Sequence, residues 1–478
     1  MARSAVQTRA DAEAAFLEAW PQYRRTASID ELRAREYARL DQQDHVYLDY
    51  TAGGLYADSQ LREHMAMLAQ GVFGNPHSAS PASIAMTEHC HSARAAILDY
   101  FRADPAEYEA IFTANASAGL KIVGESYPFG RGGVYALLFD NHNSVNGIRE
   151  FAKARGAEVR YVPIRKPELR IDEERLAATL EDVSSDAPRL FAYPAQSNYS
   201  GVQHELEWIE RAQAKGWDVI LDAAAFVPTN RLDLSQVHPD FVPISFYKMF
   251  GYPTGVGALI ARRKALERLR RPWFGGGTVT VASVQGERFY LAEGAAAFED
   301  GTLDYLTLPA VEIGLRHLSS VGVEAVHTRV SCLTGWLLSQ IVWLRHANGE
   351  PVVRIYGPTD TAARGGTIAM NFYRPDGQCV DHREIRARAN DDLISLRTGF
   401  FCNPGESEVA LGFSRDEILT CFDDSNQSNQ HVSVDDFRSC FDGRCSGAVR
   451  VSVGLASNFN DVWRFAEFAR RQVDRTDD

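Results

Sequence analysis

The sequence predicts an α/β fold, with a large domain built on a mainly parallel sheet and a smaller C-terminal α/β domain. Two observations support this prediction. From about residue 47 to about residue 310, short apolar runs alternate with helix-like stretches, which is typical of parallel strands covered by helices on both faces. After the stretch "LPAVEIGLRHLSSVG" the pattern changes, and the strand-like runs there indicate a second, smaller α/β unit. A chain of 478 residues is long enough for two or three such units.

The predicted elements follow in chain order. We predict a polar helical segment at residues 1–46 that packs with the small domain. The large domain is predicted at residues 47–315 and the small domain at residues 316–478. Strands of the large domain are predicted at "YEAIFTA", "VYALLFD", "EVRYVPI", "RLFAYPA", "DVILDAA" and "FVPISF". Strands of the small domain are predicted at "PVVRIYG", "GGTIAMNFYR", "LISLRTGFF" and "AVRVSVG". The stretch "DVWRFAEFARRQVD" predicts a closing helix, and the polar "FDDSNQSNQHVSVDD" predicts a surface loop.

Composition excludes several classes of function. The formal charge of −13 and the absence of a basic run argue against nucleic-acid binding. No apolar stretch reaches the roughly 18 residues of a membrane span, and the charged N-terminus lacks a signal core, so we expect a cytoplasmic protein. Seven cysteines, an odd number without CxxC spacing, predict mostly reduced thiols and no zinc site.

Lys248 and Asp222 predict a cofactor site. Lys248 follows the apolar strand "FVPISF" and precedes a Gly/Pro turn, so partial desolvation should lower its pKa and favour Schiff-base chemistry with a carbonyl. Asp222 ends the strand "DVILDAA", where a carboxylate can pair with the pyridinium nitrogen of pyridoxal phosphate. Taken alone, each residue also has a structural explanation, such as a turn or a helix cap.

Two further strand ends complete the pattern. In "IFTANASAGLK", Ala116 and Ser117 would offer backbone N–H groups and a hydroxyl at a helix N-terminus, which suits a phosphate. His142 in "FDNHNSVNGIRE" follows another strand, where an imidazole can stack on a flat ring. Four such features in chain order, each at the carboxyl end of a strand, predict a pyridoxal phosphate site.

The chain resembles the fold-type I pyridoxal phosphate enzymes of the class V aminotransferase and cysteine desulfurase superfamily. Within it, the chain is similar to the aminotransferase-like domain of molybdenum cofactor sulfurases, without their C-terminal sulfurase domain. The resemblance covers about residues 47–455. It rests on "YLDYTAGGLY", "GNPHS", "FTANASAGLK", "YPAQSNYSGV", "LDAAAFVPT", "DFVPISFYKMFGYPTGVGALI", "FGGGTV", "FEDGTLDYL", "LRTGFFCNPG" and "GAVRVSVG".

The resemblance implies a role for each matching residue. Lys248 binds the cofactor covalently, Asp222 holds its pyridinium and His142 stacks on its ring. The residues implied in phosphate and substrate contacts are Ala116, Ser117 and Ser245 at the phosphate, Asn198 at both cofactor and substrate, and Arg450 at the substrate α-carboxylate. Thr278 would reach the phosphate of the partner subunit, which implies a homodimer.

The resemblance also implies that Cys402 is a nucleophile. In the family, "RTGxxC" places the catalytic cysteine five residues after an arginine, as Arg397 and Cys402 stand here. The implied reaction is desulfuration of L-cysteine through a Cys402 persulfide, with a sulfur acceptor as a further partner. The chain departs from the family on the substrate side: Tyr50 replaces a histidine, and Phe400 stands near the thiol where a cysteine is usual. We therefore expect Tyr50 and Phe400 to contact the substrate, and Arg397 is expected to bind it as well.

Two alternatives stay open. The first is a C–S lyase or decarboxylating oxidative deaminase of S-alkyl cysteine conjugates in a biosynthetic pathway, for which Cys402 is unnecessary and Phe400 would line a larger pocket. The second is an inactive scaffold that binds the cofactor and docks a sulfur acceptor. Retention of both Lys248 and Arg450 argues against the scaffold, because a scaffold needs neither residue.

Overall fold

The computed structural model describes residues 8–76, 78–182, 186–426 and 444–476. The helices are α1 (Arg9–Ala19), α2 (Ala27–Glu36), α3 (Arg39–Gln42), α4 (Asp58–Gln70), α5 (Pro81–Tyr100), α6 (Ala116–Ser126), α7 (Asn143–Asn146), α8 (Ile148–Ala154), α9 (Glu173–Glu181), α10 (Glu207–Gln213), α11 (Phe246–Phe250), α12 (Arg263–Leu266), α13 (Pro309–Val321), α14 (Val323–Ile341), α15 (His382–Asp391), α16 (Pro404–Leu411), α17 (Arg415–Asn426) and α18 (Phe459–Arg470). Two 3₁₀ helices cover Pro21–Thr26 and Gly294–Phe298.

The strands of the described chain form one large sheet and several smaller ones. They are β1 (Val46–Tyr47), β2 (Tyr108–Thr113), β3 (Val134–Leu138), β4 (Glu158–Val162), β5 (Ile164–Arg165), β6 (Arg170–Ile171), β7 (Arg189–Pro194), β8 (Asp218–Asp222), β9 (Phe241–Ser245), β10 (Gly257–Arg262), β11 (Val279–Ser283), β12 (Arg288–Leu291), β13 (Val353–Tyr356), β14 (Thr367–Phe372), β15 (Ile394–Ser395), β16 (Arg397–Gly399) and β17 (Ala448–Ser452).

The large domain is built on a seven-stranded sheet in the order β2-β10-β9-β8-β7-β3-β4. β10 is antiparallel to β2 and β9, while the pairs from β9 to β4 are parallel. Strands β3, β8 and β9 are buried along their whole length, which explains the apolar residues at their centres. The mainly parallel sheet and the six predicted strands are confirmed. β10 was not predicted as a strand.

The small domain contains an antiparallel sheet in the order β13-β14-β17-β16. The segment "LISLRTGFF", predicted as one strand, is divided in two: β15 pairs with β1, whereas β16 pairs with β17. The loop prediction for "FDDSNQSNQHVSVDD" is wrong in its first part, because α17 continues to Asn426. The remainder of that stretch lies outside the described residues.

The N-terminal helices pack on the small domain. Phe16 stacks on Phe459 with ring centroids 4.9 Å apart. The buried Arg33 guanidinium forms an ion pair with Asp461 on α18 and donates a hydrogen bond of 2.7 Å to the Ala456 carbonyl. These contacts bring the two ends of the described chain together. The domain limits at residues 46 and 315 stay a prediction.

One expectation about the cysteines is wrong. Cys379, before α15, forms a disulfide with Cys445, before β17, and their Cα atoms lie 5.6 Å apart. The count and spacing of cysteines carry no information about such proximity across the fold. Cys90 and Cys332 are free and buried, whereas Cys402 is free and exposed. Among the described helices, none is long and apolar enough to cross a membrane.

Candidate active site

A cavity of about 160 Å³ lies at the carboxyl ends of strands β7, β8 and β9 and beside the start of α6. Ligand sites of open parallel sheets lie at this edge. Seven of the residues predicted from the sequence line the cavity: Ala116, Ser117, His142, Asn198, Asp222, Ser245 and Lys248.

Lys248 is placed by the junction of β9 and α11. The strand ends at Ser245, and the short helix that follows directs the lysine into the cavity. Among the described residues, the amine forms no hydrogen bond or ion pair. Burial lowers the pKa of Lys248, Arg450 lowers it further, and Asp222 opposes the change. A lysine with a lowered pKa is more often an uncharged amine near neutral pH, which is the form that attacks a carbonyl or takes up a proton.

Asp222 stands at the buried end of β8. Its Oδ1 accepts a hydrogen bond of 3.1 Å from the backbone N–H of Ala224, which fixes the orientation of the carboxylate. The residue is nearly buried and lines the cavity. A fixed carboxylate in such a place is suited to binding a cationic ring nitrogen.

His142 caps the short helix α7. Its Nδ1 accepts a hydrogen bond of 3.1 Å from the backbone N–H of Ser144, so the neutral ring carries its proton on Nε2. Burial and the nearby Lys248 lower the pKa of His142 to about 4. The imidazole is therefore uncharged near neutral pH, which suits stacking on an aromatic ring.

Hydroxyl and backbone donors gather at the N-terminus of α6. The Ala116 N–H donates to Ser245 Oγ at 2.9 Å, and the hydroxyls of Ser117 and Ser144 lie 2.6 Å apart. Asn115 caps the helix, with its side chain accepting from the Ala118 N–H. Helix N-terminal amides together with hydroxyls favour a phosphate. Ser144 was not among the predicted residues.

Arg450 on β17 is buried on the opposite side, where the small domain meets the large one. Its Nη1 donates to the Asn198 carbonyl at 2.8 Å, and its guanidinium lies 4.7 Å from the centre of the Phe401 ring. Burial lowers the pKa of Arg450 to about 10, and its Nε is buried without a hydrogen-bond partner among the described residues. An unpaired buried guanidinium N–H favours an anionic ligand.

Asp49 joins the two arginines that sequence analysis singled out. Its Oδ2 accepts from Arg397 Nη2 at 2.7 Å, and its Oδ1 lies 3.4 Å from Arg450 Nη2. Sequence reasoning missed Asp49. A signal was present in "VYLDY", where a carboxylate lies two residues after the short strand β1.

Cys402 lies in the turn between β16 and α16. The Cys402 carbonyl accepts a hydrogen bond of 2.7 Å from the backbone N–H of Asn143, and the Phe401 carbonyl accepts one of 2.7 Å from Asn198 Nδ2. The charge of a Cys402 thiolate raises the pKa of both Lys248 and Arg450, although burial lowers both pKa values overall. The exposed thiol therefore stands near the lysine amine and the arginine.

Six predicted residues lie outside the lining of this cavity: Arg397, Cys402 and Arg450, described above, and Tyr50, Phe400 and Thr278. Tyr50 is buried, with its ring against Tyr47 and its hydroxyl without a partner among the described residues. Phe400 is half-buried, and the neighbouring Phe401 contacts Arg450 instead. Thr278 is buried in its own turn, where its hydroxyl donates to the Gly275 carbonyl at 2.9 Å.

The cavity has a donor set that fits pyridoxal phosphate. It offers an amine for the aldehyde, a fixed carboxylate for the ring nitrogen, a neutral imidazole for the ring face and a hydroxyl cluster at a helix N-terminus for the phosphate. The unpaired Arg450 Nε would remain for the carboxylate of an amino acid. Within the described ranges, no group of three or more His, Cys, Asp or Glu residues is arranged to hold a metal ion.

The chain is similar to known proteins in sequence and in fold. The chain is 36% identical over 471 residues to molybdenum cofactor sulfurase of Solanum lycopersicum, covering 92% of this chain and 57% of the relative. It is 36% identical to the protein of the same name from Bos taurus, covering 92% of this chain and 51% of the relative. The chain thus spans about half the length of these curated relatives.

Among solved structures, the apo structure of a cysteine desulfurase from Thermococcus onnurineus NA1 superposes with a TM-score of 0.76 at 21% identity, covering 93% of this chain and 97% of that chain. This likeness confirms the fold class. The family described as aminotransferase class-V matches residues 46–465, which include all the strands of both main sheets and every residue that lines the cavity. The chain therefore belongs to the aminotransferase class-V family.

Proposed function

We propose that the protein is a pyridoxal phosphate enzyme that cleaves the C–S bond of L-cysteine or a cysteine S-conjugate, with Cys402 as the acceptor of the sulfur. One observation carries the proposal: the turn with the exposed Cys402 thiol is hydrogen-bonded to Asn198, which lines the cavity with Lys248, and the adjacent Phe401 ring contacts the buried Arg450. An amine, a carboxylate binder and a thiol are the three groups that desulfuration of an amino acid needs.

In this proposal, Arg450 binds the substrate α-carboxylate and Lys248 moves the Cα proton. Pyridoxal phosphate, when bound, would withdraw electrons from the substrate carbon and so weaken its bonds. The lowered pKa of Lys248 leaves its amine able to take the proton and return it. His142 and Asp222 stay in place and hold the ring in a fixed orientation.

The transfer of sulfur to Cys402 needs no further oxidant or reductant. The Cys402 thiolate attacks the substrate sulfur, forming an S–S bond as the C–S bond breaks. The electron pair of the C–S bond stays with the substrate carbon, which takes up a proton, so that alanine leaves and Cys402 holds a persulfide. L-cysteine and the Cys402 thiol thus become alanine and the persulfide.

The comparisons support this proposal through the names of the relatives. The curated relatives are named molybdenum cofactor sulfurases, and the solved structure is a cysteine desulfurase. Cysteine desulfurase-like enzymes pass sulfur to an acceptor, and we extend this to the present chain. Because the chain spans about half of the curated relatives, we propose no particular acceptor.

We further propose that the enzyme is a cytoplasmic homodimer. The segment that contains Thr278 carries large exposed side chains, with Trp273 50% and Tyr290 68% exposed. A second copy covering this segment would bury apolar surface and bring Thr278 towards the neighbouring phosphate site.

A product assay tests the function. Wild type and Cys402→Ala are given L-cysteine and then S-methyl-L-cysteine, and alanine, pyruvate, aldehyde, ammonia and CO₂ are measured. We expect alanine from L-cysteine with wild type and at least about 100-fold less with the variant, because the sulfur has no acceptor. Cys90→Ala, which removes a buried thiol, is the control and should keep the activity.

The other outcomes separate the alternatives. Thiol and pyruvate, or aldehyde and CO₂, from the conjugate with the Cys402→Ala variant still active would contradict the persulfide route and establish a lyase or deaminase. No product from either substrate, together with no absorbance band of a lysine-bound cofactor, would establish a scaffold.

A further inference from the structure

The turn that carries the thiol has an unfavourable backbone conformation. Phe401 and Cys402 have φ angles of 53° and 54°, in the left-handed region that residues other than glycine seldom occupy. Two such residues in succession persist only where the surroundings hold them. What holds this turn therefore decides where the thiol points.

Several of the hydrogen bonds that hold the turn cross to the large domain. The Asn403 amide donates to the Asp140 carbonyl at 2.8 Å and to Asn198 Oδ1 at 3.0 Å. The Cys402 carbonyl accepts from the N–H of Asn143, as described above. Asn403 directly follows Cys402, so fixing its side chain fixes the backbone beside the thiol.

Glu406, in the first turn of α16, connects these groups. Its side chain is 0% exposed. Its Oε2 accepts a hydrogen bond from the Ser197 hydroxyl and another of 3.1 Å from the Asn403 amide, while its backbone N–H donates to Asn403 Oδ1 at 3.2 Å. One carboxyl group thereby binds both the residue after the thiol and the large-domain segment around Asn198.

The surroundings of Glu406 favour its uncharged form. No arginine or lysine pairs with it among the described residues, and the charge that acts on it is that of Asp140, which is hydrogen-bonded to His204 at 2.6 Å. Burial, followed by the charge of Asp140, raises the pKa of Glu406 well above its ordinary value. Oε2 accepts both hydrogen bonds, and Oε1 is buried without a partner in the described chain.

We propose that Glu406 is a positioning residue that docks the Cys402 turn onto the large domain through Ser197 and Asn403, and so holds the thiol at the mouth of the cavity. This inference rests on the proposed function, and it assigns Glu406 a role in sulfur transfer without contact with substrate or cofactor. Loss of the carboxyl group leaves the Asn403 amide with fewer partners and releases the turn.

The test compares three variants of the full-length holoenzyme: Glu406→Ala, Glu406→Gln and, as a matched control on the same helix, Glu408→Ala. Glu408 has no side-chain hydrogen bond to the turn among the described residues. Two quantities are measured: the hydrogen–deuterium exchange rate of the Asn143 amide, which reports docking of the turn, and kcat and KM for alanine formation from L-cysteine.

We expect Glu406→Ala to accelerate exchange at Asn143 at least about tenfold and to lower kcat at least about tenfold, with KM changed by less than about twofold. Glu406→Gln keeps an acceptor for Ser197 and Asn403 and should remain within about twofold of wild type, as should Glu408→Ala. Should Glu406→Ala fail to fold, Ser197→Ala removes one of the same bonds and should change both quantities in the same direction.

Unchanged exchange in Glu406→Ala would overturn the proposal, as would equal effects of Glu406→Ala and Glu408→Ala. If wild type forms no alanine, the proposed function fails, and exchange at Asn143 still decides whether Glu406 docks the turn.

Discussion

The two sides of the cavity are built differently. On the floor, Asp222 ends the buried strand β8, and Lys248 lies on the short helix α11 that directly follows the buried strand β9. On the other side, Cys402 stands on a turn with positive φ angles, fixed mainly by side-chain hydrogen bonds from Asn198 and Asn403. The groups of the floor are therefore positioned by the sheet, whereas the thiol that we propose as the sulfur acceptor is positioned by a turn.

Removing the lysine should have the largest effect and tests the floor directly. Lys248→Ala is expected to lower all turnover, whatever the product, by about 10²–10⁴-fold, because the proton on Cα loses its base. Cys402→Ala should lower alanine formation while keeping cofactor binding. The measurement is product formation together with the absorbance of the bound cofactor. If both variants lost that absorbance equally, Cys402 would also be needed to bind the cofactor, and the difference in role between the floor and the turn would be contradicted.

Replacing the buried arginine should have the next largest effect. Arg450→Lys loses the paired N–H donors, so KM for L-cysteine should rise about 10–100-fold, corresponding to a charged hydrogen bond of about 1.5–3 kcal/mol. Arg397→Lys is the control: its side chain is 51% exposed, and a change below about threefold is expected. Steady-state kinetics measure both, and the reverse order would move carboxylate binding to Arg397.

Asp49→Asn should have a smaller effect. It leaves the buried Arg450 without its ion-pair partner, which should lower the free energy of unfolding by about 1–3 kcal/mol. A substrate carboxylate would restore that partner, so L-alanine should raise the melting temperature more in the variant than in wild type. Thermal denaturation with and without L-alanine measures this. An equal increase in both proteins would mean that the carboxylate does not bind beside Arg450.

The smallest expected effect is a pH dependence from His142. Its pKa is lowered from 6.5 to about 4 in the folded protein, so below pH 6.5 the unfolded chain takes up the proton more readily. The contribution of His142 to stability should therefore fall as the pH decreases from about 6.5 to about 4 and stay constant below that. His142→Asn should remove this part of the slope in denaturation curves. An unchanged slope would contradict the burial of a neutral imidazole.

The sequence predicted the floor better than the turn. Lys248, Asp222 and His142 each follow an apolar run, and a buried parallel strand both produces that pattern and decides which end of the sheet the residue occupies. Asp49 and Glu406 escaped prediction because their roles depend on contacts between distant parts of the chain. Asp49 and Arg397 are 348 residues apart and Ser197 and Glu406 are 209 residues apart, so no local pattern shows that they are partners.

The direction of β10 is a second feature that the sequence pattern does not show. β10 runs antiparallel because β9 connects to it through the short helix α11 and not through a crossover long enough for a parallel return. The pattern of apolar residues shows that a segment is buried but not its direction.

The disulfide between Cys379 and Cys445 has a consequence for the study of sulfur transfer. The two cysteines are 66 residues apart, and Cys402 lies between them, so the acceptor thiol is part of a covalently closed loop. A thiol reductant that removes sulfur from Cys402 can also open the ring of chain around it. Activity measured against reductant concentration would then combine two events, release of the product sulfur and a change in the covalent topology of the loop, and Cys379→Ser separates them.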